Sequence, residues 1–201
     1  MIINHRHKFV FVHIQKTAGT SITSDLANLG GCEYYYEKHS LINKLSPIYN
    51  NYFKFCFVRN PWDRLVSWYN MIERLPMGNN DFIDYIKKNA NNFSEFLDAT
   101  EIIDDTKETH YGNNFKSITI NQFDFLTDKE GQLNIDFIGK MENLQEDYDK
   151  IKKILNLPTT LLPHKNKGIQ NTDYRKYYTE SDTQKVYDMY KKDIEYFKYQ
   201  F

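Results

Sequence analysis

Twice in this chain an apolar strand runs straight into a charged turn and then a helix, and that geometry constrains the fold more than any other feature. Phe9 to Ser21 reads FVFVHIQKTAGTS, and Phe53 to Asn70 reads FKFCFVRNPWDRLVSWYN. In the first segment Phe9 to Val12 predicts a buried strand. Lys16, Thr17, Ala18, Gly19, Thr20 and Ser21 then form a tight loop opening a helix with an apolar stripe at Ile22, Leu26 and Leu29. Free N–H groups at such a helix start face an anion, Gly19 permits close backbone approach, and Lys16 adds positive charge. In the second segment Phe53 to Val58 predicts another buried strand. Asn60 suits the N-cap, and Pro61 suits the first helical position, where its missing N–H costs nothing. Arg59 is thereby fixed at the carboxyl end of a strand. The pair describes a site for a ligand with two separate anionic groups.

The rest of the chain continues the alternation. Cys32 to Tyr36 predicts a short strand with His39 after its end, and Leu41, Ile42 and Leu45 predict a helical turn before Pro47. The helix from Pro61 to about Leu75 places Trp62, Leu65, Val66 and Tyr69 on one stripe and Arg64 with Ser67 on another. Arg64 reads equally as a ligand contact and as a surface ion-pair residue. Asp81 to Ile103 predicts one or two amphipathic helices, Thr106 to Asn121 a polar irregular segment, and Ile135 to Gly139 a further strand. Asn143 is expected to cap a helix with Leu144, Tyr148, Ile151 and Leu155 inward. Leu157 to Asp173 predicts a long loop, and Thr179 to Asp182 caps one final helix carrying Val186, Tyr190, Ile194 and Phe197. This pattern predicts an α/β fold with a central parallel sheet and helices on both faces, ligands binding beyond the carboxyl ends of the strands. With 201 residues, one domain spanning 1–201 is expected.

Composition narrows the function. Lys plus Arg number 26 against 27 for Asp plus Glu, a net charge of −1, so an anion site must be a local concentration of basic groups and a general nucleic-acid binder is disfavoured. The 16 Tyr and 14 Phe suit a packed core, a sugar-binding wall or an adenine-stacking wall, and composition does not separate these. Only Cys32 and Cys56 occur, so a reduced compartment is the simpler expectation than a disulfide framework. The N-terminal MIINHRHKFVFVHIQ has too short an apolar run for a signal peptide or a membrane span. A soluble cytoplasmic chain is expected, with a trimmed lumenal domain as the alternative.

These segments resemble the two nucleotide-binding signatures of the sulfotransferases that use 3′-phosphoadenosine 5′-phosphosulfate (PAPS), in the branch containing heparan sulfate 2-O-sulfotransferase and the carbohydrate sulfotransferases. Weaker patterns, IDFIGKMENL at Ile135 to Leu144 and LPHKNKG…YRKYYT from Leu162 to Thr179, extend the resemblance toward the C-terminus. It implies a three-layer, nucleotide-kinase-like fold in which Lys16 to Ser21 hold the 5′-phosphosulfate and Arg59 with Ser67 holds the 3′-phosphate. It also implies that Lys167, Tyr174 and Arg175, with Lys165 and Gly168 nearby, close over the 3′-phosphate and adenine. The bland reading of that last segment is a solvated basic loop. A Walker A run, GxxxxGK[ST], is absent, and lysine here precedes glycine as KTAG.

Sulfuryl transfer needs an in-line acceptor hydroxyl and stabilisation of the charge growing on the leaving phosphate. Lys16 is assigned to that charge, and Thr17, Gly19, Thr20 and Ser21 supply backbone and hydroxyl donors. The acceptor, a carbohydrate or glycan hydroxyl, needs a base. His39 occupies the position at which the resembling enzymes often carry their catalytic histidine, against the alternative of a structural histidine. Of the others, His5 and His7 belong to the N-terminal arm, His13 is expected to orient the loop or pack beside it, and His110 and His164 sit in loops. If His39 is not the base, Glu37 or His13 is the next candidate, and Gln122 either lines the site or makes a strand-edge hydrogen bond. No metal-ligand spacing is present. Two other functions fit the same residues: a nucleotide-dependent phosphotransferase on this fold, and a non-catalytic module that binds adenosine 3′,5′-bisphosphate. The oligomeric state is not legible.

Overall fold

Phenylalanines at alternate positions build the floor of a sheet: Phe9 and Phe55 lie 5.7 Å apart and Phe11 and Phe55 5.2 Å apart between ring centroids. The computed structural model describes residues 1–35, 37–78, 81–101, 118–162 and 173–201. The chain divides into two units, Met1–Arg59 with Gln122–Asn166, and Asn60–Asn121 with Lys167–Phe201.

The first unit contains strands β1 (Ile2–Asn4), β2 (Phe9–Val12), β3 (Cys32–Tyr34), β4 (Phe53–Val58) and β5 (Phe137–Lys140), with helices α1 (Gly19–Ala27) and α5 (Leu144–Ile154). Their order in the sheet is β3-β1-β2-β4-β5. The pairs β2–β4 and β4–β5 are parallel, whereas β1 is antiparallel to both β2 and β3. The expected wholly parallel sheet is therefore mixed, with β1 alone reversed. The reason is local. Asn4 Oδ1 accepts the His7 N–H at 2.8 Å and Lys8 adopts φ 50°, which closes a hairpin where the sequence suggested a loose arm. Two apolar residues, Ile2 and Ile3, are too short a run to register as a strand.

Ile22 and Leu26 of α1 and Tyr148 and Ile151 of α5 cover the phenylalanine face. Val10, Val12, Cys56 and Val58, which alternate onto the other face, are also fully buried, which is why β2 reads as an unbroken apolar run and β4 as one interrupted only by Lys54. α1 and α5 are joined by a buried polar knot. Asp25 lies 2.6 Å from Lys152 Nζ and accepts from the hydroxyls of Tyr148 and Thr160, both at 2.7 Å. Burial pushes the Asp25 carboxyl up, but the bonds from Lys152, Thr160 and Tyr148 outweigh it and hold the group below its ordinary value. Asn143, expected to cap α5, makes no side-chain cap bond, because a 3-10 turn at Met141–Asn143 already feeds the helix.

The second unit is helical: α2 (Pro61–Arg74), α3 (Asp81–Asn89), α4 (Phe93–Glu101), α6 (Glu180–Met189) and α7 (Lys191–Phe197). Trp62, Trp68, Phe82, Phe96, Val186 and Tyr190 lie in its core. The Asn60 side chain accepts from Trp62 N–H, and Pro61 occupies the first turn of α2. Thr179 and Asp182 form the reciprocal capping box of α6. The single final helix expected from the sequence is instead two. Tyr190 turns out of helical geometry at φ −117° and ψ 28°, its hydroxyl held by the Ile118 carbonyl while Asn121 Oδ1 accepts from Asp193 N–H. All four residues of the expected stripe, Val186, Tyr190, Ile194 and Phe197, are still buried.

The knot at Asp25 yields a stability test. Asp25→Ala leaves the Lys152 ammonium, only 1% exposed, without its carboxylate. It is expected to cost about 3–5 kcal/mol in urea unfolding. Because the folded carboxyl titrates below its ordinary 3.8, the contribution is complete above that pH and disappears as pH falls through the lower folded value. A loss under about 1 kcal/mol, the scale of an exposed pair, would show that the knot does not hold α1 to α5.

Candidate active site

The lysine loop has a backbone that side chains normally avoid. Lys16 has φ 68° and Ala18 has φ 63° with ψ 12°, two left-handed residues separated by one that is not. Each carries a Cβ, so each costs about 1–3 kcal/mol, and such strain concentrates at ligand clamps. Alternation of this kind turns successive N–H groups into one concavity, a nest for an anion. Ser21 and Ile22 N–H groups return to the Ala18 carbonyl at 3.0 and 3.3 Å, which starts α1. The amides of Gly19 and Thr20 have no backbone partner among the described residues. The buried Thr17 hydroxyl, expected as a ligand donor, gives its proton to the Ile14 carbonyl at 2.9 Å and so braces the loop from inside.

The second motif is held to the first. Arg59 Nη1 donates to the Lys16 carbonyl at 3.2 Å. The fully buried Gln122 fixes the Arg59 backbone from both sides: Oε1 accepts its N–H at 2.9 Å and Nε2 donates to its carbonyl at 2.8 Å. Of the two roles open to Gln122, the structure displays the strand-edge bond. It extends β4 by one pairing and aims Arg59 past the sheet. Since β2 and β4 are parallel, with Val12 opposite Cys56, the loop and Arg59 leave the sheet at the same carboxyl edge.

His13 follows β2 directly and is 3% exposed. Burial above all, then His39, Lys38 and the Met1 amine, push its pKa down to about 2, so the ring is neutral. The close approach that demands glycine at position 19 is to this ring, since a Cβ there would stand 1.8 Å from His13 Nε2. His39 is half-buried, and its Nδ1 bonds the His13 carbonyl at 2.9 Å. A carbonyl only accepts, so Nδ1 carries the proton and Nε2 is the basic nitrogen. Burial is the main cause that lowers the His39 pKa to about 4; the carbonyl bond works upward, and Lys38 and the Met1 amine work downward.

On the second unit, Ser67 is half-buried on α2. Tyr174 accepts from Asn60 Nδ2 at 3.3 Å, and the exposed Arg175 stacks 4.7 Å above the Tyr174 ring and pairs with Asp173 at 3.1 Å. Arg64, open to a surface reading, is 1% exposed, and its Nη1 bonds the Ile120 carbonyl at 3.4 Å. α2 is buried on more than one stripe, and Arg64 lies on the second. His110, His164, Lys165, Lys167 and Gly168 lie outside the described residues. Among the described residues no group of His, Cys, Asp and Glu is arranged to hold a metal, and no helix is long and apolar enough to cross a membrane.

A sulfotransferase family model matches residues 1–200. The chain belongs to the sulfotransferase family. It is also similar to an uncharacterized protein of Archaeoglobus fulgidus, 31% identical over 119 residues that cover 57% of this chain and 76% of that protein. No solved structure matches it. Membership of the sulfotransferase family points to sulfuryl transfer onto a hydroxyl-bearing acceptor.

The sequence of this sulfotransferase placed Gln122 in the site or at a strand-edge hydrogen bond and His13 beside the loop; the partners, both backbone groups of Arg59 for Gln122 and Gly19 for the His13 ring, were not legible. A buried glutamine just before an apolar 3-10 turn carries no local signal of a partner 63 positions away. The Gln122 pairing is open to test. Gln122→Leu strands both backbone groups of Arg59 and is expected to cost about 1–3 kcal/mol. Gln122→Glu, which keeps an acceptor for the N–H alone, should fall between wild type and Gln122→Leu in the same denaturation series. Equal stability of all three proteins would contradict the role given to this side chain.

Proposed function

We propose that the protein transfers a sulfuryl group from PAPS to a hydroxyl of a carbohydrate acceptor, on the three-layer, nucleotide-kinase-like fold of the carbohydrate sulfotransferase branch. The observation that carries this reading is the 3.2 Å bond from Arg59 to the Lys16 carbonyl, which brings two basic side chains from separate motifs to one strained loop. The donor set fits a nucleotide with two separate anionic groups: backbone amides at a helix start, a lysine, and a guanidinium suited to bidentate phosphate binding. Gly19 and Thr20 amides and Lys16 hold the phosphosulfate, and Arg59 holds the 3′-phosphate. For Ser67, Tyr174 and Arg175 we keep the nucleotide-contacting roles that the resemblance implies.

In the transfer step the acceptor oxygen bonds to sulfur as the bond from sulfur to the 5′-phosphate oxygen breaks. His39 Nε2 takes the acceptor's proton, and Lys16 stabilises the charge left on the phosphate. The hydrogen bond from Nδ1 to the His13 carbonyl keeps the ring oriented while it does so. With a pKa near 4, His39 is unprotonated at neutral pH without needing to lose a proton first.

Two measurements test this. Arg59→Ala should weaken adenosine 3′,5′-bisphosphate by about 1.5–3 kcal/mol more than it weakens adenosine 5′-phosphate, the value of a hydrogen bond to a charged group, and any loss common to both ligands reports the lysine loop that Arg59 no longer holds. Equal losses for both ligands would place the 3′-phosphate elsewhere. Turnover should hold as pH is lowered until it falls near pH 4, where His39 gains a proton, while far-ultraviolet circular dichroism confirms the fold. His39→Ala should lower turnover about a hundredfold or more with nucleotide affinity retained. A variant that keeps over about a tenth of the rate rules His39 out as the base and turns attention to Glu37.

A further inference from the structure

The ring of His13 fills the space between the lysine loop and His39. It stacks on Phe11 at 5.5 Å with planes 20° apart and meets the His39 ring edge-on at 4.5 Å and 70°. On its other side Nε2, Cδ2 and Cε1 stand 1.8, 2.0 and 2.6 Å from where a Cβ on Gly19 would lie. Its Nδ1 is buried and makes no hydrogen bond among the described residues. An unpaired buried polar atom destabilises the fold, so stability alone gives no reason for an imidazole at this position.

We propose that His13 is a positioning residue that couples the anion loop to the base, its ring setting the height of Gly19 on one side and shielding His39 from water on the other. This rests on the reading of the loop as a nucleotide cradle and of His39 as the base. The ring supports the loop through contact, so a side chain at position 19 can be accommodated only if the ring shrinks. The same ring contributes to the burial that keeps His39 unprotonated. The charged groups that act on the pair are Lys38 and the Met1 amine; the amine donates to the Glu37 and Lys38 carbonyls at 2.8 and 3.0 Å, and the Glu37 carboxylate acts on the amine rather than on the rings.

The test compares Gly19→Ala, His13→Ala and the double variant, with adenosine 3′,5′-bisphosphate binding by calorimetry and the His39 imidazole midpoint by NMR. Gly19→Ala is expected to weaken binding about tenfold or more through overpacking, and adding His13→Ala should recover most of that loss. In His13→Ala the His39 midpoint should rise by about one unit or more as water reaches the ring. If thermal melting shows that His13→Ala does not fold, His13→Asn vacates the same space and carries the same comparison. A double variant that binds no better than Gly19→Ala, or a His39 midpoint that does not move, overturns the proposal. Failure of the underlying reading registers separately: full turnover in His39→Ala removes the base assignment while rescue and midpoint shift persist. Absence of bisphosphate binding in the wild-type chain removes the cradle, and the midpoint alone then decides whether His13 shields His39.

Discussion

The hydrogen bond from the Arg59 guanidinium to the Lys16 carbonyl is the joint on which the candidate site depends. Each motif alone is a strand followed by a turn, a geometry that many folds contain. Pairing β2 with β4 in parallel brings the two turns to one edge, and the Arg59 bond then fixes the lysine loop in a conformation two of its residues would otherwise avoid. Gln122 makes this possible by holding the Arg59 backbone from both sides, so that the guanidinium leaves the strand in one direction. The cost of two left-handed non-glycine residues is met by that clamp, by the Thr17 hydroxyl beneath the loop and by the ring of His13 behind it.

Electrostatics follows from the same arrangement. A chain of net charge −1 has no general attraction for anions, so in the proposed reading affinity is made locally, from a lysine, a guanidinium and helix-start amides without a backbone partner among the described residues. The nearby histidines are kept neutral chiefly by burial, which leaves one ring nitrogen of each as an acceptor rather than making further cations. Away from the site, the charged pair between Asp25 and Lys152 is used differently: it is enclosed with two hydroxyls and fixes α1, the helix whose start forms the loop, against α5.

What was legible in the sequence was local. FVFV and FKFCFV are strands because all their residues but Lys54 are apolar, Asn60-Pro61 starts a helix by its own chemistry, and TESD caps one in the same way. What was not legible depends on partners far along the chain. Asp25 meets Tyr148 across 123 positions, and Gln122 meets Arg59 across 63. Asp25 beside Leu26, and Lys152 beside Ile151, do sit on apolar stripes, and a charge at a core-facing position is the signal that such a pair exists. Arg64 was open to a surface reading because α2 was given one apolar stripe, when the helix is buried on more than one. The reversed β1 was missed because three residues carry too little periodicity, although Asn4 at the turn was a hint.

The central claim is that this loop and this arginine serve sulfuryl transfer, and the most direct measurement is the reaction itself. The wild-type chain is incubated with PAPS and a panel of hydroxyl-bearing glycans, and adenosine 3′,5′-bisphosphate and sulfated product are quantified together by mass spectrometry. The account expects bisphosphate to accumulate with at least one acceptor, in equal amount to a sulfated product, and to stop when Lys16 is replaced by alanine. Bisphosphate release that is indifferent to acceptor and to Lys16, or phosphorylated product with ATP as donor, would contradict it.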